Sequence, residues 1–329
     1  MGIYTHIGFL AVAFVILAKS ADIFVDSAVR IAELLRVPQM VVGIVLVGFA
    51  TTAPEFAVSV QSAYLDHPEI ALGNAVGSVI CDDGLAMALA ALVASSPILI
   101  DPKILRSAGF LLIFIYGISY FMAFDGTLAR SEGIVLVALL AGYIYYLLRT
   151  TKRQSTGGPA DEVAVGEETP VGSAIASAQS VKRPLIYFVL GVGGVILSSR
   201  IIVWSCVRIA QHFGVPEVVI GLTIVAIGTS IPEIGTCIAA ARKGHGQIAA
   251  GDIIGADILN ILWIAGVSAV VNPMHVSQKI IHFMFPWMFL IVGTMLISMR
   301  ISYRIGKTKG TILLSLYGIY LWTTFRFLY

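Results

Sequence analysis

Two glutamates, Glu55 and Glu233, each end a short hydroxyl-rich segment inside an apolar stretch of the chain. The segments are residues 50–55, with the sequence ATTAPE, and residues 228–233, with the sequence GTSIPE. A carboxylate at membrane depth is costly, and such residues usually mark an ion or proton pathway. The proline before each glutamate interrupts a helix and leaves main-chain carbonyl groups without a donor. Each segment therefore concentrates oxygen atoms that are suited to a cation.

A glycine-rich polar segment follows each glutamate: residues 73–83 (GNAVGSVICDD) and residues 251–260 (GDIIGADILN). Glycines four residues apart allow another helix to approach closely. Ser78 and Asp82 are also four apart, so they share a helix face that can point toward a glutamate. We also expect freed carbonyl groups near Gly48, Thr51, Ala226 and Thr229. Oxygen donors without His or Cys favour a hard cation such as Ca²⁺ or Na⁺ over zinc or copper.

Three further acidic residues have less certain positions. Asp83 projects about 100° away from Asp82 if the segment is helical, although Asp83 could instead be the residue that points inward. Asp252 corresponds to an asparagine in the first half, and Asp252 and Asp257 could both lie near a helix entrance. Because clustered carboxylates repel one another, we expect the site to hold cations or protons.

The composition indicates that these residues lie in a membrane. The chain has 329 residues, of which 58% are hydrophobic and 12% are charged, and its mean hydropathy is +0.92. Its net charge of +2 gives no reason to expect a nucleic-acid partner. The first apolar run lacks a basic start and a cleavage site, so we interpret it as a retained span. The cysteines, which lack metal-ligand spacing, are expected to be small buried side chains: Cys81, Cys206 and Cys237.

Ten segments are apolar enough, at about 20 residues each, to be transmembrane helices. They are residues 5–34, 39–65, 69–95, 104–123, 131–149, 184–212, 217–242, 247–271, 278–298 and 310–328. A polar segment rich in Gly, Ser, Thr and acidic residues divides them five and five and predicts a mobile linker. We therefore predict a first repeat at 1–150, a linker at 151–183 and a second repeat at 184–329.

The two halves align at a constant offset of 178 residues, which pairs Glu55 with Glu233. Other identical pairs are Val37/Val215, Pro38/Pro216, Gly43/Gly221, Thr51/Thr229, Pro54/Pro232, His67/His245, Gly73/Gly251, Gly77/Gly255 and Ile80/Ile258. An odd number of spans in each repeat inverts the second copy in the membrane, as in many secondary transporters. The predicted fold is therefore an all-α integral membrane protein of ten transmembrane helices, arranged as two inverted five-helix repeats.

The basic residues predict the orientation. If the linker is cytoplasmic, most of the Lys and Arg lie in cytoplasmic connections, in agreement with the positive-inside rule. They are Arg36, Lys103, Arg106, Arg149, Lys152, Arg153, Lys182, Arg183, Arg242, Lys243, Arg300, Arg304, Lys307 and Lys309. Arg130 and Lys279 are exceptions. We expect a multi-pass protein of the cell membrane with both termini outside.

These paired motifs resemble the cation/calcium exchanger superfamily, whose sodium/calcium exchangers carry G-T-S-x-P-E and G-N-x-x-G-S-N-x-x-D/N in two inverted repeats. The resemblance extends over essentially the whole chain. It implies an antiporter that exchanges Ca²⁺ for Na⁺ by alternating access at a midplane site. It also implies that Glu55 and Glu233 bind Ca²⁺ and share Na⁺ sites, with Asp82 and Asn260 at the central polar positions. The implied helpers are Thr51, Thr52, Ser78, Thr229 and Ser230.

The chain departs from the family pattern at four places. Ala50 replaces the motif glycine, Val79 and Asp257 replace asparagines, and Ala256 lacks the serine hydroxyl of the second repeat. An inner Na⁺ ligand could therefore be missing. The counter-ion stays open between Na⁺ and H⁺ or another cation.

Other interpretations compete with a cation site. Glu55 and Glu233 could be neutralised by basic partners, although neither has a Lys or Arg within its span. An intramembrane hydrolase could use two carboxylates as acid and base, but a comparable catalytic signature is lacking, and a passive channel fits inverted repeats less well. We expect no enzyme activity, no cofactor and no obligate protein partner.

Three smaller expectations concern the rest of the chain. Asp22 and Arg200 correspond under the repeat offset, and an ion pair between them could set the register of the two long first helices. His67 and His245 are expected in connections. The linker is too short for a calcium-regulatory domain.

Overall fold

The computed structural model describes residues 3–35, 37–66, 68–156, 182–212, 226–275 and 278–328. The helices of the first half are α1 (Ile3–Leu35), α2 (Gln39–Thr51), α3 (Ala53–Tyr64), α4 (Pro68–Cys81, Asp82–Ala86 and Met87–Val93), α5 (Pro102–Ala123) and α6 (Arg130–Thr156). Those of the second half are α7 (Lys182–His212), α8 (Ala226–Thr229), α9 (Ile231–Arg242), α10 (Gly246–Leu259, Asn260–Ala265 and Gly266–Val271), α11 (Gln278–Arg300) and α12 (Lys307–Leu328). Four two-residue strands complete the described elements: β1 (Ile98–Leu99), β2 (Thr127–Leu128), β3 (Met274–His275) and β4 (Arg304–Ile305).

Among the described residues, seven helices are long and apolar enough to cross a membrane: α1, α4, α5, α6, α7, α10 and α11. An eighth crossing is formed if α2 and α3, which meet at a bend of 48°, count as one span. The predicted span at 217–242 is described only from residue 226, and the one at 310–328 lies on α12, which is not among these eight. The prediction of a mainly helical membrane protein is confirmed.

Each hydroxyl-Pro-Glu segment breaks a helix, as its sequence predicts. The break falls at Thr52, with ψ of 2°, and at Ser230, with ψ of 5°, so neither residue continues the helix before it. Proline then occupies the first turn of α3 and of α9, where its missing N–H is not needed. The main-chain ladder resumes with bonds of 3.0 Å from Phe56 to Thr52 and from Ile234 to Ser230.

Glycines bring α2 and α10 into direct main-chain contact. A Cβ atom at Gly251 would clash with the Met40 carbonyl oxygen, and one at Gly255 would lie 2.5 Å from that of Ile44. From the other side, a Cβ at Gly43 would lie 2.7 Å from the Ile248 oxygen. Only glycine fits at such a crossing. The prediction that the glycine-rich segment of the second half packs closely is correct.

The two longest helices, α1 and α7, pack chiefly along each other. Gly191 makes room for the main chain of Phe24, and a Cβ there would lie 2.9 Å from the Phe24 Cα. The aromatic rings of Phe24 and Phe188 are 4.7 Å apart at the same crossing. These two helices therefore form a closely packed pair beside the remaining helices.

An ion pair connects α1 with Lys243, the residue that directly follows α9. The Lys243 ammonium lies 2.8 Å from a carboxylate oxygen of Asp26 and 3.6 Å from one of Asp22. The predicted pair between Asp22 and Arg200 is therefore wrong, because Asp22 turns toward Lys243 on a third helix. In the described part of the chain, Arg200 is exposed and takes part in no ion pair.

Two short antiparallel bridges connect the halves. β1 pairs with β4, with Ile98 opposite Ile305, and β2 pairs with β3, with Thr127 opposite His275. Each bridge takes one strand from each half, and the repeat offset carries Thr127 of β2 onto Ile305 of β4. The connections between helices thus meet in a related way in both halves.

The boundary of the predicted linker differs from the structure at both described edges. Helix α6 continues to Thr156, beyond the predicted end of its span at residue 149, and α7 starts at Lys182. The helical hydrogen-bond ladder can continue past the apolar stretch because polar residues in water are compatible with a helix. Most of the predicted linker lies outside the described residues.

Candidate cation-binding site

Glu55 and Glu233 occupy equivalent places at the N-terminal ends of α3 and α9. Each is the third residue of its helix, directly after proline. Free N–H groups and the helix dipole favour negative charge at such an end. Glu55 is 1% exposed and Glu233 is fully buried, and none of their carboxylate oxygens accepts a hydrogen bond within the described structure. These oxygens are available to a cation.

The two glutamates face a common space between the halves. Electrostatic interactions connect Glu233 with Glu55, and both of them with Asp82. Within the described residues, Arg30 and Lys243 form ion pairs with other carboxylates, and no ion pair involves these glutamates. The alternative in which basic side chains neutralise the glutamates therefore has no support in the described structure.

Asp82 and Asn260 meet across the halves at the first residues of two π-helical turns. These turns, Asp82–Ala86 and Asn260–Ala265, lie within α4 and α10. The Asn260 amide donates to the Asp82 carboxylate at 3.5 Å, and both side chains are 1% exposed or less. A π-turn widens the helix locally and is frequent at functional sites. The sequence pairs these residues by offset, but it gives no signal for the π-turns.

Thr51 and Thr229, the last residues of α2 and α8, link the halves through two equivalent hydrogen bonds. Thr51 donates to the Asp252 carboxylate at 3.1 Å, and Thr229 donates to the Asn74 amide oxygen at 3.1 Å. The Asn74 amide donates in turn to Ser59 at 2.9 Å. Since the repeat offset carries Asn74 onto Asp252, the network is nearly two-fold symmetric. A hydroxyl that donates its hydrogen keeps lone pairs, so both threonines can still bind a cation.

The second copy of this network has more donors because the Asp252 carboxyl group has two oxygens that accept, whereas the Asn74 amide has one. Asp252 accepts from Thr236 at 2.8 Å and from the Cys237 thiol at 3.5 Å, in addition to Thr51. Asp252 thus lies inside the protein, not at a helix entrance. The sequence places Asp252 below Asp82 as a candidate. It gives no motif that would identify Thr236.

The other predicted hydroxyl ligands are also buried at the site. Ser78 and Ser230 have no hydrogen-bond partner for their hydroxyl oxygens in the described structure, and Ser230 interacts with Asp82. Thr52 is fully buried, and its hydroxyl donates to the Gly48 carbonyl at 2.9 Å. The Gly48 carbonyl also accepts the main-chain N–H of Thr52 at 3.0 Å. The expectation that Gly48 offers a free carbonyl is therefore wrong, and proline instead withholds a donor from the carbonyl of Ala50.

No three His, Cys, Asp or Glu side chains within the described ranges converge as a ready metal cluster. The space therefore needs hydroxyl and carbonyl oxygens in addition to carboxylates, a mixed set typical of Ca²⁺ and Na⁺ sites. The remaining acidic residues, Asp83 and Asp257, are buried and face each other instead of the glutamates. Asp82 and Asp252, but not Asp83, thus interact with both glutamates.

The histidine and cysteine predictions fall partly outside the described structure. His245 lies in the turn before α10, as expected for a connection. His67 lies outside the described residues. Cys81 and Cys237 are buried free thiols, and the side chain of Cys206 is not described.

Known proteins are similar to this chain over most of its length. The family model described as sodium/calcium exchanger protein matches residues 5–149 and 183–326. Inner membrane protein YrbG of Escherichia coli is 31% identical over 80% of this chain and 79% of its own. Sodium/calcium exchanger MaX1 of Methanosarcina acetivorans is 28% identical over 95% of this chain and 96% of its own.

A solved structure of the sodium-calcium exchanger NCX_Mj, soaked with Na⁺ and Sr²⁺, has a TM-score of 0.80 and 25% identity to this chain. The match covers 97% of this chain and 98% of that one. Fold and family match together define a multi-pass membrane transporter. The chain belongs to the sodium/calcium exchanger protein family, which confirms the resemblance seen in its paired motifs.

Proposed function

We propose that the protein is a secondary active antiporter that exchanges Ca²⁺ for Na⁺ across the cell membrane. The observation that carries the proposal is the meeting of Glu55 and Glu233 between the halves, buried and without a basic partner within the described residues. Unpaired carboxylates in a dry interior are stable only with a cation or a proton. We take the identity of the two ions, Na⁺ and Ca²⁺, from the names of the similar exchangers.

The proposed transmembrane architecture has ten helices in two inverted repeats, with the site near the membrane midplane. The related bridges β1–β4 and β2–β3 and the equivalent threonine bonds support this symmetry. The positions of Lys and Arg support a cytoplasmic linker and outward termini. The repeats and the linker keep the limits 1–150, 151–183 and 184–329.

In the proposed mechanism, Ca²⁺ and Na⁺ compete for the same carboxylates. Glu55, Glu233 and Asp82 hold Ca²⁺, and Ser78, Ser230 and the threonine hydroxyl groups at 51, 52 and 229 share in binding Na⁺. Asn260 supplies an amide oxygen that has no partner in the described structure. An occupied site can turn from one side to the other, whereas an empty one would carry bare negative charge through the membrane core. Coupling follows from this difference, with no covalent chemistry and no cofactor.

Exchange of Ca²⁺ for H⁺ is a second candidate. Asp82 and Asp252 interact with each other and with Glu233. The site therefore holds several carboxyl groups whose negative charge must be balanced. Ala256 also lacks the hydroxyl that Ser78 provides in the first half. Protons could balance such a site in place of Na⁺.

Flux measurements in proteoliposomes test both candidates. We expect an outwardly directed Na⁺ gradient to drive ⁴⁵Ca²⁺ uptake, and Glu55→Gln or Glu233→Gln to abolish it because each removes a charged ligand. Glu33→Gln is the matched control, since Glu33 is exposed and pairs with Arg30 on α1. Uptake driven by a pH gradient without Na⁺ would select the H⁺ candidate. Full exchange by either site variant would contradict the assignment of the site.

A further inference from the structure

An aromatic cluster of Phe49, Phe56 and Trp263 lies against the helix break that precedes Glu55. The Trp263 indole stacks on the Phe56 ring, with ring centroids 4.1 Å apart and ring planes inclined by 16°. The Phe49 ring lies against the same indole at 5.0 Å. Phe49 belongs to α2 and Phe56 to α3, so Trp263 contacts both sides of the break at Thr52. The aromatic cluster therefore supports the bend of 48° between these helices.

The same indole belongs to the other half of the exchange site. Trp263 lies in the π-helical turn of α10, three residues after Asn260. Phe56 directly follows Glu55 on α3, and α3 is in contact with this π-turn. The stack thus connects the helix that carries Glu55 with the turn that carries Asn260.

The Glu55 carboxylate depends on this support because it has no hydrogen bond that fixes its position. Both of its oxygens lack a partner within the described structure. Its location is therefore set by the main chain of α3 and by the side chains that hold this helix in place. Ligand groups must be held within about 0.5 Å by the packing around them if a site is to bind selectively. Stacked rings, which prefer a defined relative geometry, provide such packing.

The equivalent place in the second half is aliphatic. At the repeat offset, the aromatic cluster falls on Ile227, Ile234 and Leu85. These side chains are also half-buried against the core, and α9 contacts the π-turn that contains Leu85. The break at Ser230 thus has aliphatic packing where the break before Glu55 has a ring stack. The aromatic cluster is therefore not a requirement of the repeat architecture.

We propose that Trp263 is a positioning residue, which holds Glu55 at the distance from Asp82 that Ca²⁺ requires. The inference rests on the proposed function, in which Glu55, Glu233 and Asp82 together hold Ca²⁺ while hydroxyl groups share in binding Na⁺. A divalent ion held by three carboxylates is more sensitive to their spacing than a monovalent ion with mixed ligands. Loss of the stack should therefore weaken Ca²⁺ binding more than Na⁺ binding.

Equilibrium binding of ⁴⁵Ca²⁺ to the purified full chain in detergent, with Na⁺ as competitor, measures the dissociation constants of both ions. Trp263→Leu introduces the side chain that the other half has at the equivalent position. We expect it to weaken Ca²⁺ binding by about three- to tenfold, the equivalent of one aromatic pair. The dissociation constant of Na⁺ should change less. Trp263→Phe keeps a ring against Phe56 and should restore most of the Ca²⁺ affinity.

Trp287→Leu is the matched control. Trp287 is also half-buried and lies 5.8 Å from an aromatic ring, that of Tyr320, but its helix, α11, carries none of the proposed ligands. This variant should bind Ca²⁺ with the affinity of the unmodified chain.

Phe56→Leu removes the second ring of the stack. Because either change breaks the same contact, Phe56→Leu/Trp263→Leu should bind Ca²⁺ no more weakly than the weaker single variant. If Trp263→Leu does not elute as a monodisperse peak, Phe56→Leu tests the same stack in its place.

The proposal is overturned if the folded stack variant binds Ca²⁺ as tightly as the unmodified chain. It is equally overturned if Ca²⁺ and Na⁺ are weakened to the same extent, or if Trp287→Leu has the same effect, since both results indicate a general loss of packing. Failure of the proposed exchange is detected separately, as absence of Na⁺-driven flux in the unmodified chain. The Ca²⁺ affinities of the variants decide the role of Trp263 in either case.

Discussion

The two equivalent threonine hydrogen bonds differ in their acceptors, so each can serve as a control for the other in a test of stability. Thr51 donates to a carboxylate, Asp252, and Thr229 donates to an amide, Asn74, both at 3.1 Å. Hydrogen bonds to charged groups contribute about 1.5–3 kcal/mol and neutral ones about 0.5–1.5 kcal/mol. At equal distance, the first bond should therefore be stronger by about 1 kcal/mol.

Thr51 has competing acceptors that reduce this difference without removing it. Its hydroxyl also lies 3.2 Å from the main-chain oxygens of Val47 and Gly48. A hydroxyl has one hydrogen, and the charged acceptor is favoured when the carboxylate is ionised. Replacement of Asp252 by alanine removes the acceptor and lets the hydroxyl turn to these carbonyl groups.

Two double-mutant cycles measure the pairs separately. One combines Thr51→Val with Asp252→Ala, and the other combines Thr229→Val with Asn74→Ala, with the unfolding free energy taken from SDS titration in mixed micelles. A cycle isolates the pair from the other contacts of each residue. We expect a coupling energy of about 1.5–3 kcal/mol for the first pair and about 0.5–1.5 kcal/mol for the second. Equal couplings, or a larger one for Thr229, would refute the assigned charge on Asp252.

Three further changes test the helix geometry. Gly255→Ala should destabilise the detergent-solubilised protein by about 1–3 kcal/mol through its clash with a main-chain oxygen, whereas Gly142→Ala, where a Cβ meets nothing within 4 Å, should leave thermal stability equal or raised. Pro54→Ala supplies an N–H to the preceding turn, so we expect slower Na⁺-driven ⁴⁵Ca²⁺ flux; an unchanged rate would argue against a role for the helix break. Lys243→Met removes a partly exposed ion pair with Asp26, for which we expect less than about 1 kcal/mol in the same SDS titration, and a larger loss would show that the pair is shielded from solvent.

Most of the helical architecture could be predicted because a membrane imposes long apolar segments. Prolines 54 and 232 marked the helix breaks for a local reason, the missing N–H, which depends little on the rest of the fold. The charged pairing around α1 could not be predicted in this way. Offset symmetry suggested Asp22 with Arg200, but Lys243 was brought closer by packing between helices that are distant in sequence.

The candidate site was predictable where both repeats carry the same side chains. Glu55, Glu233, Asp82 and Asn260 were identified from motif and offset, and the structure places them in one space. The π-turns depend on how a helix accommodates its neighbours, so composition gave no sign of them. The direction of the Asp83 side chain depends on the π-turn, so its partner Asp257 could not be identified from the sequence.

The equivalent threonine bonds between the halves have a consequence for membrane insertion and folding. As the first half leaves the ribosome and enters the membrane, Thr51 and Asn74 lack the partners that the second half later supplies. A solitary first half would hold the Asn74 amide oxygen in hydrocarbon without its donor, although Thr51 and the Asn74 amide nitrogen have acceptors in their own half. Folding is therefore complete only when the two halves associate. If the halves were made as separate polypeptides, these hydrogen bonds would favour their association.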